Sequence, residues 1–155
     1  MNPVLQNARA AGFAVLRRYG WFPIAILLVH EFLAHVVDGY LRWPAIDVPM
    51  HFCGGLAVAY FAGGSLRVFS GHRLIREPDA VLKGLFLFSL VNTVAVFWEF
   101  GEFASDRLLG TTYQLGLGDT LLDLFMGMLG GLAYLAPRLP AARRALAPPA
   151  PETSA

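Results

Sequence analysis

Between Trp98 and Asp123 the chain sets five carboxylates, Glu99, Glu102, Asp106, Asp119 and Asp123, around the turn Gly110-Thr111-Thr112-Tyr113-Gln114, and both flanks are strongly apolar. An ionised carboxylate in hydrocarbon costs several kcal/mol unless it is paired, hydrated or bound to a cation. Acids in such a setting can hold a hard divalent cation, activate a water or a substrate oxygen through it, or pass protons. Residues three or four apart share a helix face, so Glu99 pairs with Glu102 and Asp119 with Asp123. Asp47 with His51, and the row Glu31, His35 and Asp38, repeat the spacing and add imidazoles. Bundles that bind metals build sites from inward acids and histidines on facing helices. The expected ligand set is Asp47, His51, Glu99, Glu102, Asp119 and Asp123, with Glu31, His35, Asp38, Asp106 and Gln114 as weaker members. Oxygen ligands with one or two imidazoles suit Mg²⁺, Mn²⁺, Fe²⁺ or Zn²⁺ without choosing among them.

Simpler roles compete residue by residue. Asp47 and Asp119 stand where a helix N-cap is wanted. Asp106 reads as an acid of a solvated loop beside Arg107, His30 as a hydrogen-bonded interior histidine, and His72 as a solvated residue of a basic loop. Capping does not account for Glu99, Glu102 and Asp123. The first two approach a helix C-terminus and oppose its dipole. Asp123 lies a turn beyond any cap, among Leu121, Leu122, Leu124 and Phe125. The structural alternative for this trio is pairing with Arg42 or Arg107.

The elements that must position these groups follow from composition. Of 155 residues 56% are hydrophobic and 15% charged, with mean hydropathy +0.54, which points to a bilayer. A net charge of +1 without a basic face argues against nucleic acid as a partner. Cys53 is the lone cysteine, so no internal disulfide forms and a small core residue is expected. The first 18 residues hold no apolar core followed by a small-residue cleavage site, so a cleaved signal peptide is not expected. The predicted fold is an all-α membrane protein, a compact bundle of four transmembrane helices at about residues 19–40, 49–69, 80–105 and 118–135. This domain of residues 19–136 follows a cytoplasmic lead, 1–18, in which Phe13, Val15 and Leu16 could rest on the interface. It precedes a cytoplasmic tail, 137–155, expected to be disordered beyond its first residues.

Lys and Arg near spanning ends stay cytoplasmic. With both termini inside, Arg9, Arg17, Arg18, Arg67, Arg73, Arg76, Lys83, Arg138, Arg143 and Arg144, ten of the twelve basic residues, fall on that side. Eight of the eleven acids then lie in the outer half, so all four helices deliver acids to one depth. Gly55, Ala59 and Gly63, with Gly127 and Gly131, recur every four residues and predict close helix contact. Trp21, Trp43, Trp98, Tyr40 and Tyr113 fit interfacial belts. A phosphate loop, nucleotide fingerprint, nucleophile elbow and His-Glu-x-x-His motif are all missing.

Asp47 with His51, Trp98-Glu99-x-x-Glu102, and Gly110-Thr111-x-x-Gln114 leading to Asp119-Thr120-x-x-Asp123 resemble the YjdF-like family of small bacterial inner-membrane proteins. The pattern is similar, more distantly, to VanZ-like proteins, although Arg107 lies too early and Gly127 occupies the place of their Asn. The resemblance spans residues 47–131. It implies a multi-pass bacterial inner-membrane protein with a polar site at Asp47, His51, Glu99, Glu102, Asp119 and Asp123, and no particular reaction. Three functions are expected to compete. One is a metal-dependent enzyme open to the periplasmic face, acting on a lipid or lipid-linked envelope substrate. Another is a non-catalytic subunit that assembles with itself or a larger membrane complex. The third is a small cation or proton transporter, whose inner half offers few polar steps.

Overall fold

The computed structural model describes residues 2–138, and among them every regular element is helical. The first helix, α1, runs Pro3–Tyr19. Pro3 occupies the opening position and the Asn2 side chain accepts from the Val4 amide at 2.9 Å, a sound N-terminus. Most of the expected lead, residues 3–18, is therefore helical. One face of α1 is buried through Ala11, Val15 and Tyr19. Phe13 and Leu16 remain exposed, but Val15 faces protein rather than an interface.

After Gly20, α2 covers Trp21–His35, and the two axes meet at 55°. Pro23 explains the bend. It has no N–H to give the Tyr19 carbonyl, and its ring crowds that carbonyl. The first apolar segment is thus a bent helix pair that stops at His35, short of the expected residue 40. Asp38 takes a left-handed conformation, φ 51°, which reverses the chain into a single turn, α3, Gly39–Arg42.

Three long helices complete the bundle: α4, Asp47–Gly71; α5, Ala80–Leu109; and α6, Leu117–Leu135. Each is long and apolar enough to cross a membrane, and the α1–α2 pair makes a fourth span if it counts as one. Asp79 starts α5 by accepting from the amides of Val81 and Leu82, both at 2.9 Å. Gly110 ends it at φ 71°, a conformation that glycine adopts without strain.

The seam of the bundle lies between α4 and α6. A side chain at Gly55 would overlap the Gly127 carbonyl, and one at Gly130 would overlap that of Phe52. The backbones touch there, as small residues permit in lipid. Gly130 was not among the expected packing residues, although it stands one position before Gly131. Lower in the seam Gly63 faces the Tyr134 ring of α6, and beside it Gly64 faces the Tyr19 ring of α1. Ala59, Ala62, Leu87, Val91 and Tyr134 form the core between α4, α5 and α6. Outward residues such as Leu85, Phe97, Phe100, Leu121 and Phe125 are exposed, the surface a lipid-facing bundle presents.

His72, expected to be solvated, instead joins α1 to the end of α4. Its Nδ1 lies 2.8 Å from Asn7 Oδ1, while Asn7 Nδ2 donates to the His72 carbonyl at 2.8 Å. Cys53 is free and half-buried. At the start of the expected tail, Ala136–Arg138 form a short 3-10 turn that begins on the last residue of the expected membrane domain, with the Arg138 guanidinium 3.7 Å above the Tyr134 ring and donating to the Tyr134 carbonyl. Arg143, Arg144 and the rest of the tail lie outside the described residues.

Candidate functional site

Four of the six expected ligands from three helices converge on the fifth, His51. This imidazole sits one turn into α4, its side chain 10% exposed. Its Nε2 lies 3.4 Å from Asp47 Oδ1 on the same helix and 3.8 Å from Asp123 Oδ1 on α6. The opposite nitrogen, Nδ1, lies 3.9 Å from Glu99 Oε1 on α5. Donor atoms of Asp47, His51 and Asp123 all fall within 4.8 Å of one another, as do those of His51, Glu99 and Glu102. An ion bonded at ~2.1 Å separates opposite ligands by about 4.2 Å and adjacent ones by about 3 Å. Small side-chain adjustments would suffice for either set.

Burial sets two of the acids apart. Glu99 is 5% exposed and Asp123 2%, and both oxygens of Glu99 together with Oδ1 of Asp123 have no hydrogen-bond partner. Thr120 and Gln114 stand beside Glu99, but neither completes a hydrogen bond to it, and the Thr120 hydroxyl is itself buried without a partner. Buried polar atoms are nearly always satisfied, and leaving a charged one bare costs more than leaving a neutral one. The basic residues proposed as structural partners are engaged elsewhere. Arg42 pairs with Asp38 at 3.9 Å, and the Arg107 guanidinium lies 5.2 Å over the Phe103 ring.

The other expected residues divide into those near the cluster and those apart from it. Glu102 accepts from Trp98 Nε1 at 2.8 Å. Asp119, in the first turn of α6, accepts from the Leu115 amide at 3.0 Å, so it secures the entry to that helix while Asp123, one turn on, enters the cluster. Asp47 begins α4 as its first residue and makes no capping bond there. Asp106, still on α5, is the clamp of the following connection. It accepts from Thr111 Oγ1 at 2.6 Å, the Tyr113 amide at 2.8 Å and the Gln114 amide at 2.9 Å, which makes it a structural acid of an ordered turn. The row on α2 does not join the site. Glu31 and His35 face each other at 3.4 Å with both side chains more than half exposed, and Asp38 pairs with Arg42.

Two residues gained a role the sequence reading had not given them. Trp98, read as a belt residue, holds Glu102 and meets the His30 ring edge-on at 4.9 Å between centroids. Its spacing of four from Glu102 was the available signal. Tyr40 reaches His30 Nδ1 at 2.7 Å, a contact across the chain reversal that helical spacing does not encode.

Below the cluster, between α2, α4 and α5, lies a cavity of about 250 Å³. Its upper end is formed by His30, Asp47 and His51, and its walls are apolar, Ile26 and Val58 among them.

The comparisons agree with this architecture. An uncharacterized protein of Thermotoga maritima is 33% identical over 106 residues, which cover 67% of this chain and 53% of the relative. The chain therefore spans about half the length of that curated relative. No solved structure matches. The family model described as predicted membrane protein, DUF2238, matches residues 8–139, and the chain belongs to that family of membrane proteins.

Proposed function

We propose that this protein is a four-span inner-membrane protein with both termini cytoplasmic, whose cluster around His51 binds one divalent metal ion at the periplasmic side and serves a metal-dependent reaction on a lipid or lipid-linked envelope substrate. The observation that carries the reading is the pair of buried carboxylates, Glu99 and Asp123, on either side of His51, three of whose four oxygens accept no hydrogen bond. Four acids surround one imidazole there, and a divalent cation supplies the charge and the ligand bonds that the neighbouring side chains do not.

The two imidazole nitrogens have different tasks in this arrangement. Nε2, with Asp47 and Asp123, would hold the ion, while Nδ1 faces Glu99 Oε1 at 3.9 Å, near enough for that carboxylate to orient the ring once it closes to hydrogen-bond distance. Glu102, held by Trp98, is the nearest further acid and the candidate base. The bound ion would supply Lewis acidity toward a phosphoryl or carbonyl oxygen. The charge asymmetry of the sequence supports the orientation, and the YjdF-like resemblance is compatible with the family found.

The transport reading has less support. Asn92 and Thr93, midway along α5, donate to the carbonyls of Phe88 and Ser89 one turn back on their own helix, so these donors are engaged by the helix backbone. The test is elemental analysis of protein extracted gently from membranes. A stoichiometric divalent ion is expected, lost in His51→Ala and Asp123→Asn and retained in Glu31→Gln. Wild-type protein that is metal-free yet fully helical would sink the proposal.

A further inference from the structure

The cavity beneath the cluster has a shape that the metal reading alone does not use. Its walls are apolar, and its polar groups gather at one end, where Asp47, His51 and His30 line it. Three of its large apolar lining residues also reach the outside of the bundle: Leu27 of α2 is 46% exposed, and Val94 and Trp98 of α5 are 38% and 36% exposed. Val94 lies near the midpoint of the 30-residue α5, so the opening between α2 and α5 is lateral and at hydrocarbon depth. Gly54 of α4 lines the cavity too, and a Cβ built on it would meet no heavy atom within 4 Å. The space is therefore real volume and not a seam between touching helices, unlike Gly55 one residue on, whose missing Cβ is filled by the Gly127 backbone.

An apolar opening at this depth faces lipid tails in a bilayer. The polar end of the cavity adjoins the ligand set. We infer that the cavity is the binding groove for the hydrocarbon tail of a single-chain amphiphile with an anionic phosphate headgroup, entering between α2 and α5 from the bilayer and placing its phosphate beside Asp47 and His51. The tail is held by apolar burial along Leu27 and Val94. The headgroup part rests on the metal reading, because a phosphate among acids needs a bridging cation. The tail part does not.

The test uses detergent-purified full-length protein and a photoactivatable hexadecyl phosphate carrying its diazirine on the tail. Crosslinks are expected on peptides of α2 and α5 that contain Leu27 and Val94. Unlabelled hexadecyl phosphate should compete, and inorganic phosphate should not. Farnesyl phosphate, run as a second competitor, distinguishes an isoprenyl from a straight-chain tail by which one competes at the lower concentration. Gly54→Leu places its Cβ in open space and the rest of its side chain in the groove, and should cut labelling at least about tenfold, because several methylenes of the tail lose their site, while its metal content stays at the wild-type level. Val94→Trp blocks the same groove from the opposite wall and replaces Gly54→Leu if that variant loses its helicity.

Labelling of wild type that is absent, or that is unchanged in both variants, overturns the groove while leaving the metal reading intact. Labelling at Leu27 and Val94 in protein that carries no metal upholds the groove and sinks the metal reading. Labelling spread over Phe97, Phe100 and Phe125 on the outer surface identifies ordinary lipid contact and overturns the proposal.

Discussion

In the connections between helices the acids accept hydrogen bonds, and the two most buried acids beside His51 leave three of their four oxygens without one. Asp79 accepts two amides at the start of α5, Glu77 takes the Lys83 ammonium at 2.7 Å, and Asp106 draws a hydroxyl and two amides across the turn that enters α6. Glu99 and Asp123 are more deeply buried than any of these, yet three of their four oxygens have no partner. A satisfied acid is accounted for by the structure it holds. An unsatisfied one in the interior costs free energy that a bound ion, a water or a ligand can offset. The difference sorts the ten acids among the described residues better than burial or spacing does alone, and it predicts opposite signs for mutations in the two regions.

The largest effect is expected at Asp123. Asp123→Asn keeps the shape and removes the charge. Metal affinity should fall by more than about a hundredfold, since even groups one step removed from a metal typically matter by ~10–100-fold. Stability of the metal-free protein should move the other way, upward by about 1–3 kcal/mol, because a bare buried charge has been replaced by a neutral amide. Metal titration by calorimetry and thermal melting with and without chelator read the two effects separately. A metal-free variant that melts at or below the wild-type temperature would erase the contrast between the regions. Glu99→Gln should show the same pair of signs with a weaker loss of affinity, as expected of a group that orients His51.

The second effect belongs to the satisfied class. Asp106→Ala removes three hydrogen bonds and strands the amides of Tyr113 and Gln114, which should cost roughly 2–3 kcal/mol. Hydrogen exchange at those amides should accelerate, and the metal content should not change. If instead the metal is lost along with the turn, Asp106 acts on the site through Gln114, and the line between the two regions lies elsewhere.

These signs were not legible in the sequence, although much of their setting was. Helical spacing correctly identified faces that carry two acids or an acid and an imidazole, and Asp47 and His51 do face each other. Spacing does not say which way a face is turned. Glu31 and His35 share a face as expected, but α2 leans on α4 with that face outward, and both side chains are more than half exposed. Asp119 and Asp123 also share a face, and a single turn of helix separates an acid that secures a helix entrance from one sealed in the core. The membrane class and the all-helical fold were legible from composition and apolar runs. The bend after α1 was less so, because Pro23 is harmless at the start of a helix and disruptive within one, and which case applied depended on whether residues 3–19 were helical. The glycine seam was visible at Gly55 and Gly127, and the partner contact at Gly130 required knowing how α6 is rotated against α4.

Asp79 offers a smaller test of the satisfied class. Asp79→Ala removes the side chain that caps α5 and should cost about 1 kcal/mol, measured as a lower melting temperature with metal content intact. Asp79→Asn, which retains an acceptor oxygen, should recover most of the loss. Equal losses in the two variants would assign the effect to the carboxylate charge near the helix N-terminus and not to the hydrogen bonds.

The smallest expected effect is pH-dependent and sits at the same connection. Glu77 lies outside the spanning helices, and the hydrogen bond it accepts from Lys83 holds its carboxyl below the ordinary value of 4.5. A carboxyl whose folded value is depressed stabilises the fold at pH above the unfolded value, and that contribution disappears as pH falls through the folded one. Wild type should therefore exceed Glu77→Gln in stability at neutral pH, by well under about 1 kcal/mol because the pair is exposed and screened. The gap should narrow once the pH drops below 4.5, and it should also shrink in high salt. The contrast with the cluster is again one of sign, since neutralising Asp123 should stabilise the metal-free protein and neutralising Glu77 should weaken it. Melting curves of both variants in chelator at neutral pH compare the two directly, and movement of both in the same direction would mean that hydrogen-bond satisfaction does not separate the acids that hold this fold from those that await a ligand.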